Sequence, residues 1–155
     1  GGACVCAPEY YDTGVEGAAC APCKPFSTSP PDSASPSDCS CKPGYAGGPG
    51  GACVACPVGA FKNASGAGNC TPCPANSSTL GAASDAPGAC LCLRGFGDPD
   101  GDGPSGCLGC DVGYYSDALS NGSCSLCPGN KTTVGQTNSF LSDCVCIIGH
   151  FSAEF

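Results

Sequence analysis

A chain of 155 residues with 18 cysteines, 25 glycines and 15 prolines, and with no Met or Trp, has the composition of a disulfide scaffold. Its formal net charge of −8 argues against nucleic acid and against an anionic membrane surface as partners, and no apolar run approaches the length of a membrane span. Leu, Ile, Val and Phe make up only about 14% of the chain, too little to build a hydrophobic core unaided, so covalent or metal staples must help it fold.

In chain order the cysteines form three sets of six. Residues 1–52 hold Cys4, Cys6, Cys20, Cys23, Cys39 and Cys41; residues 53–106 hold Cys53, Cys56, Cys70, Cys73, Cys90 and Cys92; residues 107–155 hold Cys107, Cys110, Cys124, Cys127, Cys144 and Cys146. In each set the first pair is followed by thirteen residues and a CxxC, then by fifteen or sixteen residues and a CxC. A period of fifty residues predicts tandem modules, each too small to be a domain with its own apolar core. The first set is the divergent one, with its opening pair shortened to Cys4-Val5-Cys6. The chain is read as a processed or excised piece of a longer one, since it lacks an initiator Met and a signal-peptide pattern.

Other positions repeat with the cysteines. An aromatic follows the opening pair at the fifth place: Tyr11, Phe61 and Tyr115. Gly59 and Gly113 precede it in two repeats, where the first has Glu9. After the CxC come Gly44-Tyr45 and Gly95-Phe96, while the last copy reads Gly149-His150-Phe151. The glycine predicts a positive φ in a tight turn, and the ring a cover for a disulfide. Pro74-Ala75-Asn76 and Pro128-Gly129-Asn130 repeat after the second CxxC. The segment from Ser27 to Ser37, STSPPDSASPS, predicts an extended or surface loop and no helix. Short β-hairpins around the cysteines, joined by turns, are the predicted elements.

Five N-glycosylation sequons begin at Asn63, Asn69, Asn76, Asn121 and Asn130. With the cysteine density they point to an oxidising, extracellular location, secreted or at the cell surface, with N-linked and O-linked glycans as companions. Two metal readings compete with the bland ones. Cys53 and Cys56 with Cys70 and Cys73 approach zinc-ribbon spacing, but zinc–thiolate sites belong mostly to reducing compartments. Asp98-Pro99-Asp100-Gly101-Asp102-Gly103 resembles the start of a calcium loop, with Asp98, Asp100 and Asp102 as ligands. Gly109 stands where an EF-hand needs its bidentate Glu, so an acidic turn is the preferred reading. A redox CxxC lacks its thioredoxin-like setting. His150 is the one histidine and has no nucleophile paired with it in sequence, so no catalytic residues are assigned and no enzyme is expected.

The motifs Cys53-Val-Ala-Cys56-Pro57-Val58-Gly59-Ala60-Phe61, Cys70-Thr-Pro-Cys73-Pro74 and Cys90-Leu-Cys92-Leu-Arg-Gly95-Phe96 resemble the epidermal-growth-factor-like module, and most of all its ephrin-receptor-like cysteine-rich variant. The resemblance implies a small disulfide-rich fold of tandem EGF-like modules in an elongated rod with little helix. It also implies the growth-factor pairing: Cys6–Cys23, Cys20–Cys39, Cys41–Cys53, Cys56–Cys73, Cys70–Cys90, Cys92–Cys107, Cys110–Cys127 and Cys124–Cys144. Cys4 and Cys146 would then pair outside the chain. A tumour-necrosis-factor-receptor-like pairing is the rival, and spacing does not decide between them. The functional expectation is a structural segment, a rod or stalk of an extracellular filament or matrix, whose partners are the rest of its own chain, copies of itself or other extracellular proteins. The Ala/Gly/Pro/Ser-rich composition resembles green-algal surface glycoproteins such as flagellar-hair (mastigoneme) proteins. The alternatives are a ligand-binding receptor ectodomain, with Tyr10 and Tyr114 as the aromatics not spent on packing, and a calcium-stiffened spacer.

Overall fold

The computed structural model describes residues 5–100 and 106–147; Cys4, Asp102 and the Gly149-His150-Phe151 segment lie outside the described residues. Where glycine and proline are this frequent, regular structure is confined to short pieces between turns. Among the described residues, sixteen strands of two or three residues form eight antiparallel pairs, each between strands consecutive in sequence.

One small pattern generates all eight pairs. A cysteine is followed by a four-residue turn, a strand, a loop and a second cysteine, and the chain then runs back beside that strand. Thus Cys6 leads through Ala7–Tyr10 into Tyr10–Tyr11, and Ala21–Pro22, just past Cys20, pairs with it. The same order gives Ser27–Thr28 with Ser40–Cys41, Tyr45–Ala46 with Val54–Ala55, and Ala60–Phe61 with Thr71–Pro72. It continues with Ser77–Thr79 against Cys90–Cys92, Phe96–Gly97 against Leu108–Gly109, Tyr114–Tyr115 against Ser125–Leu126, and Lys131–Thr132 against Val145–Cys146. Each fifty-residue repeat is therefore built from a shorter motif used about three times.

The turn explains the repeated Gly and Asn. Its third residue has a positive φ each time: Glu9, Phe26, Gly44, Gly59, Asn76, Gly95, Gly113 and Asn130. Seven of these turns are closed by a hydrogen bond from the fourth residue's N–H to the first residue's carbonyl, as in Ala60 to Pro57 and Phe96 to Leu93. Positive φ at the third position alone is the mark of a type II turn, which favours Pro second and Gly or Asn third. Pro8, Pro25 and Pro43 occupy the second place. Pro128–Lys131 differs, with both Gly129 and Asn130 at positive φ. The positive-φ residue then presents its carbonyl to the returning strand, accepting from Cys23 N at Glu9, Cys56 N at Gly44, Cys110 N at Gly95 and Cys127 N at Gly113, each at 2.8 Å.

The disulfides correct the growth-factor pairing. They join cysteines in sequence order: Cys6–Cys20, Cys23–Cys39, Cys41–Cys53, Cys56–Cys70, Cys73–Cys90, Cys92–Cys107, Cys110–Cys124 and Cys127–Cys144. Cys41–Cys53 and Cys92–Cys107 agree with the implied set. The six crossed bonds, such as Cys6–Cys23 and Cys20–Cys39, are replaced by uncrossed ones. The cause is local: the turn after Cys6 brings the chain back within one hairpin, so the first cysteine of the next CxxC meets Cys6 and the second is left to pair forward. Cys146 is exposed and has no partner among the described residues.

The described residues sort into two compact units, one running to Pro72 and taking in Gly81–Ala86, the other taking in Cys73–Leu80 and continuing from Pro87. Within each, sulfur replaces hydrocarbon as core. The buried apolar residues are cysteines and Ala60. Small hydroxyl residues fill most of the remaining interior, beside Lys62 and Asp98, with Ser29, Thr79 and Thr133 buried at the same place in three successive repeats. Ser29 donates to the Tyr10 carbonyl at 2.8 Å, and Thr133 accepts from Gly113 N at 2.9 Å and donates to the Gly135 carbonyl at 3.0 Å, so these polar groups are buried with partners.

The loop from Ser27 to Ser37 begins in a strand, bridges to Tyr11 through Ser33, and ends by entering a 3-10 turn, Pro36–Asp38. Asp38 holds that turn by accepting from Ala34 N and Ser35 N at 2.9 and 3.0 Å. Asp143 repeats the device at Leu141–Asp143, accepting from Ser139 N and Phe140 N at 3.1 and 2.9 Å.

Candidate functional site

The residues that fold the second unit also leave an open cleft of about 520 Å³ on it, between the Phe96–Gly97/Leu108–Gly109 pair and the Tyr114–Tyr115/Ser125–Leu126 pair. Side chains alternate along an extended strand. Tyr115 is accordingly half-buried while Tyr114 turns outward, 40% exposed, and lines the cleft. Leu126, its cross-strand partner, and Leu108 are exposed as well, at 64% and 60%. Large apolar side chains left in water this way, Tyr114 and Leu108 on the cleft and Leu126 across the strand pair, are not spent on packing.

The polar side of the cleft is set by the turn Asp111–Tyr114. Asp111 stands first, where its carbonyl accepts from Tyr114 N at 3.0 Å. Its carboxylate accepts from Gln136 Nε2 at 3.1 Å. Gln136 reaches it because the loop closed by Cys127–Cys144 is tied down beside the strand: Thr137 N donates to the Cys110 carbonyl at 2.8 Å. Gly109 permits this approach, since a Cβ there would lie 2.7 Å from Thr137 Cγ2. Pro99 and Ser123 complete the rim, and the Cys110–Cys124 disulfide forms part of the floor.

The first unit has a smaller hollow, about 180 Å³, at the equivalent Tyr10. There Glu9 and Lys42 form an ion pair, and Phe26, held at φ 64°, stacks on Tyr45 with ring centroids 4.4 Å apart. Those side chains are engaged with each other, which leaves less free recognition chemistry than at Tyr114.

The sequence-derived sites are distributed as follows. Cys53, Cys56, Cys70 and Cys73 are held in three separate disulfides, so no thiolate set exists for zinc. Asp98 is buried and Asp100 exposed, Asp102 lies outside the described residues, and no three His, Cys, Asp or Glu side chains converge among the described residues. Asn63, Asn69 and Asn130 are exposed. Asn76 is exposed too, and its amide donates to the Cys107 carbonyl at 3.4 Å. Asn121 is half-buried, with Oδ1 enclosed. None of the five asparagines lines the cleft. Sequence reasoning singled out Tyr10 and Tyr114 but missed Asp111 and Gln136. The one signal for that pair was the loss of the Pro found at position 57 in the preceding repeat, replaced by Asp at 111.

Comparison with known proteins shows the family. The family model described as tyrosine-protein kinase ephrin type A/B receptor-like matches residues 44–90 and 100–144, more than half of the chain. Over 67 residues, 43% of this chain, it is 43% identical to ephrin type-B receptor 1 of Gallus gallus and to ephrin type-B receptor 6 of Homo sapiens. Over 59 residues, 37% of this chain, it is 49% identical to ephrin type-B receptor 4a of Danio rerio. Each match spans about 6% of the relative's own length.

Proposed function

Because this chain belongs to the tyrosine-protein kinase ephrin type A/B receptor-like family, we propose that it is a non-catalytic, cysteine-rich segment of a receptor-like secreted or cell-surface glycoprotein. Its role is structural: to hold neighbouring parts of a longer extracellular chain at fixed spacing. The observation that carries this reading is the unbroken series of eight sequential disulfides, each closing a loop of 12 to 17 residues around one hairpin. Such a scaffold folds only where thiols are oxidised. The exposed sequons Asn63, Asn69 and Asn130 fit the same compartment.

The finer form of this proposal is a segment of an extracellular filament of flagellar-hair type, supported by the Ala/Gly/Pro/Ser-rich composition alone. Electron microscopy of the purified native protein tests it: filaments assembled from copies of the chain support it, and a dispersed monomer contradicts it. The compartment is tested by labelling intact cells with a membrane-impermeant amine reagent, then treating with an N-glycosidase. Surface labelling with a mobility shift is the expected result. Free thiols and no labelling would sink the extracellular reading. A second reading, a ligand-binding ectodomain segment, is favoured by one observation: the unpacked Tyr114 and Leu108 that line the cleft, with exposed Leu126 paired to Tyr114 across the strands.

A further inference from the structure

We propose that the Tyr114 cleft of the second unit binds a neutral saccharide, with the Tyr114 ring as platform and the Asp111–Gln136 pair as hydroxyl reader. This rests on the extracellular reading for its biological setting, while its chemistry rests on the cleft alone.

A sugar ring offers an apolar C–H face and a rim of hydroxyls that each donate and accept. The cleft presents the complement to both. Tyr114 is 40% exposed on the cleft wall, and Leu108 and Pro99 extend the apolar side. An amphipathic aromatic of this kind gives large contact area at small conformational cost. Asp111, in the same turn as Tyr114, and Gln136 bring a carboxylate and a primary amide to the lining. An ionised Asp has about four acceptor sites, and Gln136 Nε2 occupies one at 3.1 Å. The Gln136 side chain retains a second N–H and its Oε1 for a ligand, while its backbone carbonyl accepts from Thr137 Oγ1 at 2.7 Å. Two planar groups bonded to each other offer adjacent acceptors and a donor to vicinal hydroxyls. Ser123 adds a hydroxyl at the rim.

The arrangement is held in advance of a ligand, by the Cys110–Cys124 disulfide under the wall and by the Thr137 N–H to Cys110 carbonyl bond at 2.8 Å. Preorganisation reduces the ordering cost of binding. A cationic peptide is the competing occupant, since Asp111 is the one charged residue among the described residues lining the cleft. A lysine side chain would engage Asp111 alone, whereas the vicinal hydroxyls of a saccharide match Asp111, the Gln136 amide and the Ser123 hydroxyl together.

The test is a chemical-shift titration of the intact, oxidised chain with chitotriose, mannotriose, galactotriose and xylotriose. Each is added to about 10 mM, above the millimolar dissociation constant expected of an open cleft. The expected result is saturable shifts confined to the amides of Leu108–Tyr114 and of Gln136 with at least one sugar. Chitotriose and mannotriose carry the chemistry of N-glycan cores, galactotriose and xylotriose that of matrix polysaccharides, so the responding sugar names the source. Tyr114→Ala should weaken binding roughly tenfold and Gln136→Ala several-fold, while Tyr10→Ala in the other unit leaves it unchanged. Dispersed amide signals in each variant show that the fold persists. No shift with any of the four sugars, or shifts indifferent to Tyr114→Ala, overturns the proposal. So does salt-sensitive binding of a lysine-rich peptide at the same amides in place of sugar. None of these failures touches the surface-labelling result, so the two readings fall separately.

Discussion

At the scale of single residues, the fold depends on backbone positions that most side chains resist. A non-glycine residue in the left-handed region costs about 1–2 kcal/mol. Gly95, at φ 80°, adds a steric demand, because a Cβ there would run into the Thr137 carbonyl. Gly44 faces the Ala83 carbonyl in the same way. Gly95→Ala should therefore lower stability by about 2–4 kcal/mol, the strain and the clash together, read by urea unfolding without reductant. Asp143→Ala removes the acceptor shared by Ser139 N and Phe140 N. It should cost about 1 kcal/mol in the same assay, with Asn in its place retaining part of the loss. The left-handed glycines were legible in the sequence, since Gly44 and Gly95 recur before an aromatic. Glu9 and Phe26 were not, because neither residue type favours the conformation they adopt. Nor were Asp38 and Asp143, whose side chains act on a backbone turn that only the folded loop creates.

At the scale of the element, the hairpin and its disulfide form one unit. The sequence marks both ends of every hairpin, because CxxC and CxC each bracket a short strand. Residues two apart share a face, which is why Cys90 and Cys92 are both buried with Leu91 less so between them. Pairing was not legible. Bonding Cys6 to Cys20 or to Cys23 changes the closed loop from 14 to 17 residues, a loop-closure difference of only about 0.2 kcal/mol. What decides is the type II turn after Cys6, and the choice between pairings therefore rests on φ at Glu9 and its equivalents. Replacing Cys73 and Cys90 together by Ser should cost about 2–4 kcal/mol, measured as a lower urea midpoint, with the flanking bonds intact by mass. An unchanged midpoint would show that the hairpin holds by hydrogen bonds alone.

At the scale of the whole molecule, sulfur and small hydroxyls stand where other proteins place hydrocarbon. Large apolar residues such as Val54, Leu80 and Val134 are exposed, and none of Leu, Ile, Val or Phe is among the buried residues described. Full reduction and alkylation should therefore abolish amide dispersion in the NMR spectrum, not merely loosen it; persistence of the dispersed signals would refute a sulfur-built core. The low apolar content announced this from the composition. The cleft was less legible: Tyr114 was marked by standing outside the repeated packing positions. Asp111 and Gln136 are 25 residues apart and meet where the Thr137 N–H to Cys110 carbonyl bond ties the loop to the strand and Gly109 leaves room for Thr137.

The sequential pairing is the claim on which the rest depends. The direct measurement is disulfide mapping of the oxidised protein by partial reduction, with alkylation of the freed thiols and electron-transfer fragmentation to separate the two cysteines of each CxxC. The account predicts Cys6–Cys20 with Cys23–Cys39, Cys56–Cys70 with Cys73–Cys90, and Cys110–Cys124 with Cys127–Cys144. Crossed bonds in their place, Cys56–Cys73 with Cys70–Cys90 and their equivalents, would contradict the hairpin unit and the cleft floor that the Cys110–Cys124 bond supports.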